Sequence, residues 1–331
     1  MTSLSPLVAG LRQTLEERLD EQIPEGATVA LLDFPTHTNV GDFAIWLGEL
    51  AYLRRRRCRI AYTSTLETYA PDRLRHLAPE GPILLHGGGN VGDLWPSHQE
   101  LRERVLTDFP NRTVIQLPQS VYFSSQNAAR RAISAMGSHS KFYLFVRDRQ
   151  SAARVQDLNR VVLCPDMAFA LDVPQDNRPL SDSVLCLLRT DHEAGEPRGE
   201  VLKSATLVDW VQRRQGRHEQ RWRSALRLAA RTRRHKRLAR PAQWAARRSF
   251  ETLAREELQL GITLLAGARA VVTDRLHGHI LSELLGLQHA VVDNRNGKVF
   301  SFIDTWTGDS IFCHRARSIP EAFDLVQERP T

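Results

Sequence analysis

Short apolar runs, each followed by a polar turn and then a helical pattern, recur along this chain and leave it few architectures. Thr28-Val29-Ala30-Leu31-Leu32, Ile83-Leu84-Leu85-His86, Thr113-Val114-Ile115-Gln116-Leu117 and Phe142-Tyr143-Leu144-Phe145-Val146 have the length and apolarity of buried strands. Helical periodicity fills the gaps. Phe43 to Arg57 sets Phe43, Trp46, Leu47, Leu50 and Leu53 on one face, and Glu100 to Asp108, Gln126 to Met136 and Gln150 to Leu158 follow. Apolar strands separated by helices argue for a parallel sheet covered on both faces. The pattern stops at Asp172-Val173-Pro174-Gln175-Asp176-Asn177-Arg178-Pro179, which reads as a linker. It resumes with Val184 to Leu188, Ala270 to Thr273 and His289 to Val292. The expected fold is α/β, with two doubly wound, Rossmann-like domains at 1–172 and 183–331, each with its own core.

A chain of 331 residues with 42% hydrophobic and 25% charged content has room for two such domains. No apolar run is long enough to span a bilayer, and Met1 to Leu19 lacks the apolar core of a secretory signal. Cys58, Cys164, Cys186 and Cys313 are scattered without a Cys-x-x-Cys pair, so they read as small core residues in a reducing cytoplasm, with no metal expected. The net charge of +7 is local in origin. Between Gln212 and Arg248, 14 Lys and Arg face one acid, Glu219, a local +13 that leaves the remainder at −6. From Trp210 to Arg248, arginines alternate with Trp210, Trp222 and Trp244. Such a basic amphipathic helix suits an anionic membrane surface; a solvated insertion is the alternative, and no nucleic-acid recognition module is visible.

Candidate chemistry gathers where strands end. Thr273-Asp274-Arg275-Leu276-His277-Gly278-His279 places a cation and two imidazoles at a strand-to-helix junction, where unpaired N–H groups and the helix dipole favour an anion. Arg275 adds a planar fork for phosphate or carboxylate, and His277 a proton that moves near neutral pH. Alternatively Asp274 caps the helix and pairs with Arg275. Asn-Val-Gly-Asp occurs twice, at 39–42 and 90–93, the second time behind Gly87-Gly88-Gly89, whose N–H groups suit an anion nest. Neither copy is a P-loop or a Gly-x-Gly-x-x-Gly motif. Asn39, Gly41, Gly88, Gly89 and Asn90 are therefore candidate substrate contacts, with Asp42 and Asp93 the carboxylates nearest the substrate. Either carboxylate can instead be a helix cap, Asp42 more so. Arg147 and Arg189 follow strands of opposite domains, each with a nearby aspartate that offers a merely structural pairing. His86, before the glycines, reads more readily as a core histidine satisfied by a backbone carbonyl than as a site residue. Asn294 and Lys298 flank a turn after the His289 strand.

Thr273-Asp274-Arg275-Leu276-His277-Gly278, Leu284-Leu285-Gly286 and Asp293-Asn294 to Gly297-Lys298 together resemble the C-terminal signature of the polysaccharide pyruvyl transferases. The segments Asn39-Val40-Gly41-Asp42, Gly87 to Asp93 and Leu117-Pro118-Gln119-Ser120 agree with it, in the family's order, from about residue 33 to residue 306. No family pattern is visible from Gln212 to Arg248. The resemblance implies a GT-B-like pair of domains with the active site in the cleft. It also implies phosphoenolpyruvate as donor, no cofactor, and a lipid-linked oligosaccharide or polysaccharide as acceptor of a pyruvate ketal. On that reading Arg275 holds the donor, His277 is general acid, Asp42 or Asp93 acts on a sugar hydroxyl, and Arg147, Arg189, Gly278, Asn294 and Lys298 line the cleft. Two alternatives remain: a glycosyltransferase of the same architecture using a nucleotide sugar, and a non-catalytic scaffold for exopolysaccharide assembly at the membrane.

Overall fold

The apolar runs do form strands, and they build two separate parallel sheets. The computed structural model describes residues 4–173, 181–190, 206–210, 224, 227 and 239–327. After helix α1 (Pro6–Asp20), strand β1 (Thr28–Leu32), α2 (Val40–Arg55), β2 (Arg59–Ser64), α3 (Pro71–Leu77) and β3 (Ile83–Leu85) alternate. Then come β4 (Gly88–Gly92), α4 (Pro96–Asp108), β5 (Val114–Tyr122), α5 (Gln126–Gly137), β6 (Phe142–Val146), α6 (Arg149–Arg154) and β7 (Val161–Leu163). The first sheet runs β2-β1-β3-β5-β6-β7, with β4 paired to β5. The second contains β8 (Val184–Leu187), β9 (Thr206–Val208), β10 (Ala270–Thr273), β11 (His289–Val292) and β12 (Cys313–Ala316), in the order β12-β11-β10-β8-β9. Its helices are α7 (Ala239–Ala266), α8 (Leu276–Leu285), α9 (Lys298–Phe302) and α10 (Ile319–Gln327).

Strand order locates the crevices. In the first sheet the chain steps from β1 to β2 on one side and then to β3 on the other. In the second, β8 is flanked by β9 and β10 in the same manner. Such reversals open a gap beyond the carboxyl ends of the strands, where ligands of open α/β sheets bind. The loops after β1 and β3 flank one gap, and those after β8 and β10 the other.

The core departs from the expectation of one per domain. One apolar cluster runs from Val8 and Leu15 of α1 through Ile45 and Trp46 of α2 to Phe250 and Leu258 of α7 and Ile280 of α8. Helix α2 explains the continuity. It is buried almost all round, because it packs against the one-turn helix Met167–Ala170, α7 and α8 as well as its own sheet. Its apolar residues therefore exceed the single face read from the sequence. The helix also starts earlier than expected, because Asn39, and not Asp42, caps it by accepting from the Gly41 N–H at 3.2 Å.

Most of the linker and most of the basic segment 212–248 lie outside the described residues. Trp210, just before that segment, and Trp244, within it, can be placed, and they part company. Trp210 is buried, so it is no interfacial anchor, whereas Trp244 on α7 is 56% exposed with the Arg248 guanidinium 5.0 Å from its ring centre. Among the described residues no helix is long and apolar enough to cross a membrane.

Candidate active site

Both crevices open on one cavity of about 350 Å³. From the first sheet, the loop after β1 brings Asn39 and the first turn of α2 Asp42, the turn after β3 brings His86, β4 brings Gly89 and Asn90, and the end of β6 brings Arg147. From the second, β8 delivers Arg189, β10 delivers Arg275 and His277, and β11 delivers Asn294 and Lys298. The volume and the convergence of charge suit a small anionic ligand with a polar partner.

The cations are held before any ligand arrives. Arg147 is 4% exposed; its Nη1 donates to Asp166 Oδ2 at 2.7 Å and its Nε to Ser120 Oγ at 2.9 Å. Arg275 does not pair with Asp274. Its Nη2 donates to buried Asp209 at 2.5 Å, while Asp274 accepts from the Arg189 backbone N–H at 2.8 Å. Arg275 stands at the N-cap position of α8, so the helix dipole adds to its field. Asn294 shapes the opposite wall, its Oδ1 accepting from the N–H groups of Asn296 and Lys298. Gly89 keeps the space between cations open. A Cβ there would lie 3.4 Å from Arg147 Nη2 and 3.7 Å from Lys298 Nζ, atoms contributed by different sheets.

Around His277 the packing is tight. Its Nε2 lies 3.5 Å from Asp166 Oδ2 and is buried without a hydrogen-bond partner. Burial alone would raise the Asp166 carboxyl, but the His277 and Arg147 charges hold it far below the usual range. Asp166 therefore ties the imidazole to the arginine. The ring rests on the first turn of α2, where a Cβ on Gly41 would come within 2.4 Å of His277 Nδ1. Only glycine fits there. Asp42, in the same turn, accepts from Asn39 Nδ2 at 2.8 Å and lies 3.4 Å from His37 Nε2. Burial pushes its carboxyl up, yet the neighbouring His37, His277, His86 and Arg147 charges outweigh that and lower it.

A second proton-bearing pair lies beneath the glycines. Glu49, inside α2, is fully buried, and its carboxylate receives the Gly87 N–H at 2.8 Å and His86 Nδ1 at 2.9 Å. Burial raises the Glu49 carboxyl. Burial would lower the His86 imidazole, but the Glu49 charge more than compensates and raises it. His86 Nε2 remains buried without a partner in the wall of the cavity.

A family model for polysaccharide pyruvyl transferases matches residues 39–296, most of the chain and most of the residues that line this cavity. The chain belongs to that family. It is 34% identical over 302 residues to pyruvyl transferase 1 of Schizosaccharomyces pombe, covering 84% of this chain and 69% of the relative. It is 31% identical over 304 residues to the putative pyruvyl transferase EpsO of Bacillus subtilis, covering 89% and 90% respectively. In fold it is similar to the crystal structure of an uncharacterized protein from Klebsiella pneumoniae, with a TM-score of 0.59 at 18% identity over 93% of this chain and 99% of the other. The chain is thus a transferase of the pyruvyl transferase family on an α/β fold with parallel sheets.

Within this pyruvyl transferase the sequence motifs land unequally. Asn39, Asp42, Gly89, Asn90, Arg147, Arg189, Arg275, His277, Asn294 and Lys298 all line the cavity. Asp93 does not. Its carboxylate is spent on Ser124, accepting the backbone N–H at 2.9 Å and the hydroxyl. Gly88 starts β4 beside Asp42, and Gly278 backs onto Thr273; both serve close packing behind the cavity. Of the donors expected to form an anion nest, the Gly87 N–H goes to Glu49 instead, and Gly88 and Gly89 open a strand. Asn90 turns its Oδ1 to Arg102 and Gln119. Sequence reading missed Asp166, Glu49 and Asp209, which have no motif of their own. It also missed Asp33, bonded to His98 Nδ1 at 2.6 Å, and Trp95, 42% exposed at the cavity wall. Asp33 carried no signal in the sequence, although it sits at φ 69°, a conformation uncommon outside glycine.

Proposed function

We propose that this transferase moves the pyruvyl group of phosphoenolpyruvate onto two hydroxyls of one sugar, forming a cyclic ketal in cell-surface polysaccharide synthesis. The observation that carries the reading is the convergence of Arg147, Arg189, Arg275 and Lys298, from both sheets, on one cavity beside His277. Phosphoenolpyruvate carries a phosphate and a carboxylate on one small carbon frame, and forked guanidinium groups match both. The two switch-point crevices sharing that cavity support a GT-B-like arrangement of the sheets, with domains divided near 172–183.

In this mechanism His277, its charge supported by Asp166, protonates the methylene carbon of the donor. C2 becomes electrophilic and the first sugar hydroxyl attacks it. His86 accepts that hydroxyl's proton, and Glu49 stabilises the imidazolium that forms. Asp42, held anionic and therefore a weak base, orients the sugar. The C2–phosphate bond then breaks, the second hydroxyl closes the ring, and its proton leaves with the phosphate. Trp95 offers the sugar a flat apolar face at the rim. The acceptor is a lipid-linked oligosaccharide or polysaccharide, brought near by the basic segment 212–248 on an anionic membrane.

The test is to incubate the protein with phosphoenolpyruvate and lipid-linked oligosaccharides, following phosphate release and the mass of the product. Equimolar phosphate and ketal are expected. Binding of a nucleotide sugar in preference to phosphoenolpyruvate would replace this reading with glycosyl transfer. Arg275→Lys should weaken donor binding nearly as much as Arg275→Ala, because a point charge does not replace a bidentate fork.

A further inference from the structure

Four side chains with no part in the mechanism meet inside the second sheet. Helix α8 carries His279 and Glu283 one turn apart on one face. Strands β11 and β12 begin at His289 and Cys313, which are register partners. An imidazole nitrogen from each histidine, a Glu283 oxygen and the Cys313 sulfur all lie within 4.8 Å of one another. His279, Glu283 and His289 have no exposed surface, and Cys313 is half-buried.

The outer contacts of these residues are those of metal ligands. His289 Nδ1 lies 2.8 Å from the Leu287 carbonyl, and His279 Nε2 lies 2.8 Å from Thr307 Oγ1. Ligating histidines characteristically anchor their outer ring nitrogen to an oxygen in this way, which fixes the tautomer and aims the inner nitrogen. The inner nitrogens, His279 Nδ1 and His289 Nε2, face each other at 2.8 Å. Glu283 Oε1 accepts from Ser310 at 2.5 Å, yet its Oε2 is buried with no hydrogen-bond partner. Leaving a carboxylate oxygen so is costly, and a cation removes that cost. Two imidazoles, a carboxylate and a thiolate make a donor set suited to zinc.

We infer that His279, Glu283, His289 and Cys313 form a closed, structural site for one zinc-class divalent cation. Tetrahedral bonds of 2.0–2.3 Å put ligand atoms roughly 3.3–3.8 Å apart, so the widest pairs draw in by about an ångström while the two imidazole nitrogens, now 2.8 Å apart, separate by about half that. The cation would pin α8 to the edge of the sheet, and α8 carries His277 in its first turn. Binding removes the Cys313 thiol proton, which passes to solvent. The competing arrangement is a metal-free pair in which His279 Nδ1–H donates to His289 Nε2, and it leaves Glu283 Oε2 unsatisfied.

Full-length protein, purified without metal-affinity steps and stripped by chelator, is titrated with Co²⁺ and, separately, with Zn²⁺. Co²⁺ should produce tetrahedral visible bands with a thiolate charge-transfer band, and Zn²⁺ should displace it stoichiometrically and raise Tm. Cys313→Ser should abolish the charge-transfer band. Thr307→Ala, which keeps all four ligands, should lower affinity about 10–100-fold. Absence of tetrahedral cobalt bands in the wild type, or a charge-transfer band that survives in Cys313→Ser, overturns the site. The wild-type titration stands even where a variant fails to fold.

Discussion

Asp166 binds Arg147 at 2.7 Å and neighbours His277 at 3.5 Å, so one carboxylate supports two groups of the proposed chemistry. Replacing it with Asn leaves buried cations uncompensated, a loss of about 3–5 kcal/mol for a buried pair. The pH dependence has a definite sign. Its folded pKa is depressed, so the stabilisation is fully present above the unfolded value of about 3.9 and is lost as pH falls through the lower folded value. Urea unfolding of wild type and Asp166→Asn should show a constant gap from about pH 5 to 8 that narrows below about pH 4. A gap that narrows instead towards pH 8 would exclude this linkage. His86→Gln should lower kcat by about 10²–10⁴ while leaving phosphoenolpyruvate affinity within a few-fold. If kcat is unchanged, His86 is a packed core histidine and the Glu49 pair is structural.

At the scale of elements, helix α2 shows how one segment serves packing and site together. Asn39 caps it, Gly41 lets His277 approach, Asp42 faces the cavity, and Glu49 reaches under the glycines. Asn39→Ala should cost about 1 kcal/mol of stability through the lost cap, whereas Asp42→Asn should leave that cap intact. Gly41→Ala is the sharper experiment. Alanine favours a helix interior over glycine by about 1 kcal/mol, but its methyl would collide with His277. Turnover should fall by about 10²-fold, as a misplacement of about an ångström does, with Tm changed little. Turnover near wild type would show that the ring can move without consequence.

For the whole molecule, charge is divided unevenly: +13 lies in residues 212–248 and −6 elsewhere. If that segment meets an anionic leaflet, each engaged Lys or Arg contributes about 1 kcal/mol, and association weakens with salt as the Debye length contracts to about 3 Å at 1 M. Co-sedimentation should favour anionic over neutral vesicles, and replacing Arg227, Arg231, Arg234 and Arg237 with Gln should release the protein with donor affinity unchanged. Equal, salt-insensitive partitioning would return the segment to a solvated insertion.

The strands at Thr28, Phe142, Ala270 and His289, and the residues waiting at their ends, are legible in the amino-acid order, because apolar periodicity and glycine chemistry act over a few neighbours. It also carried the family, whose motifs sit in those same turns. What it could not determine is visible in the tetrapeptide Asn-Val-Gly-Asp. At 39–42 it opens a helix, and Asp42 reaches the cavity; at 90–93 it runs through and out of a strand, and Asp93 turns to Ser124. Identical local chemistry took two conformations because β5 lay alongside the second copy and not the first. The same holds for Asp166, Glu49 and Asp209, and for the His279, Glu283, His289 and Cys313 cluster, whose partners are distant in the chain or on another element. Strand order and the burial of α2 brought those groups together, and only long-range packing decides which buried charges must find each other.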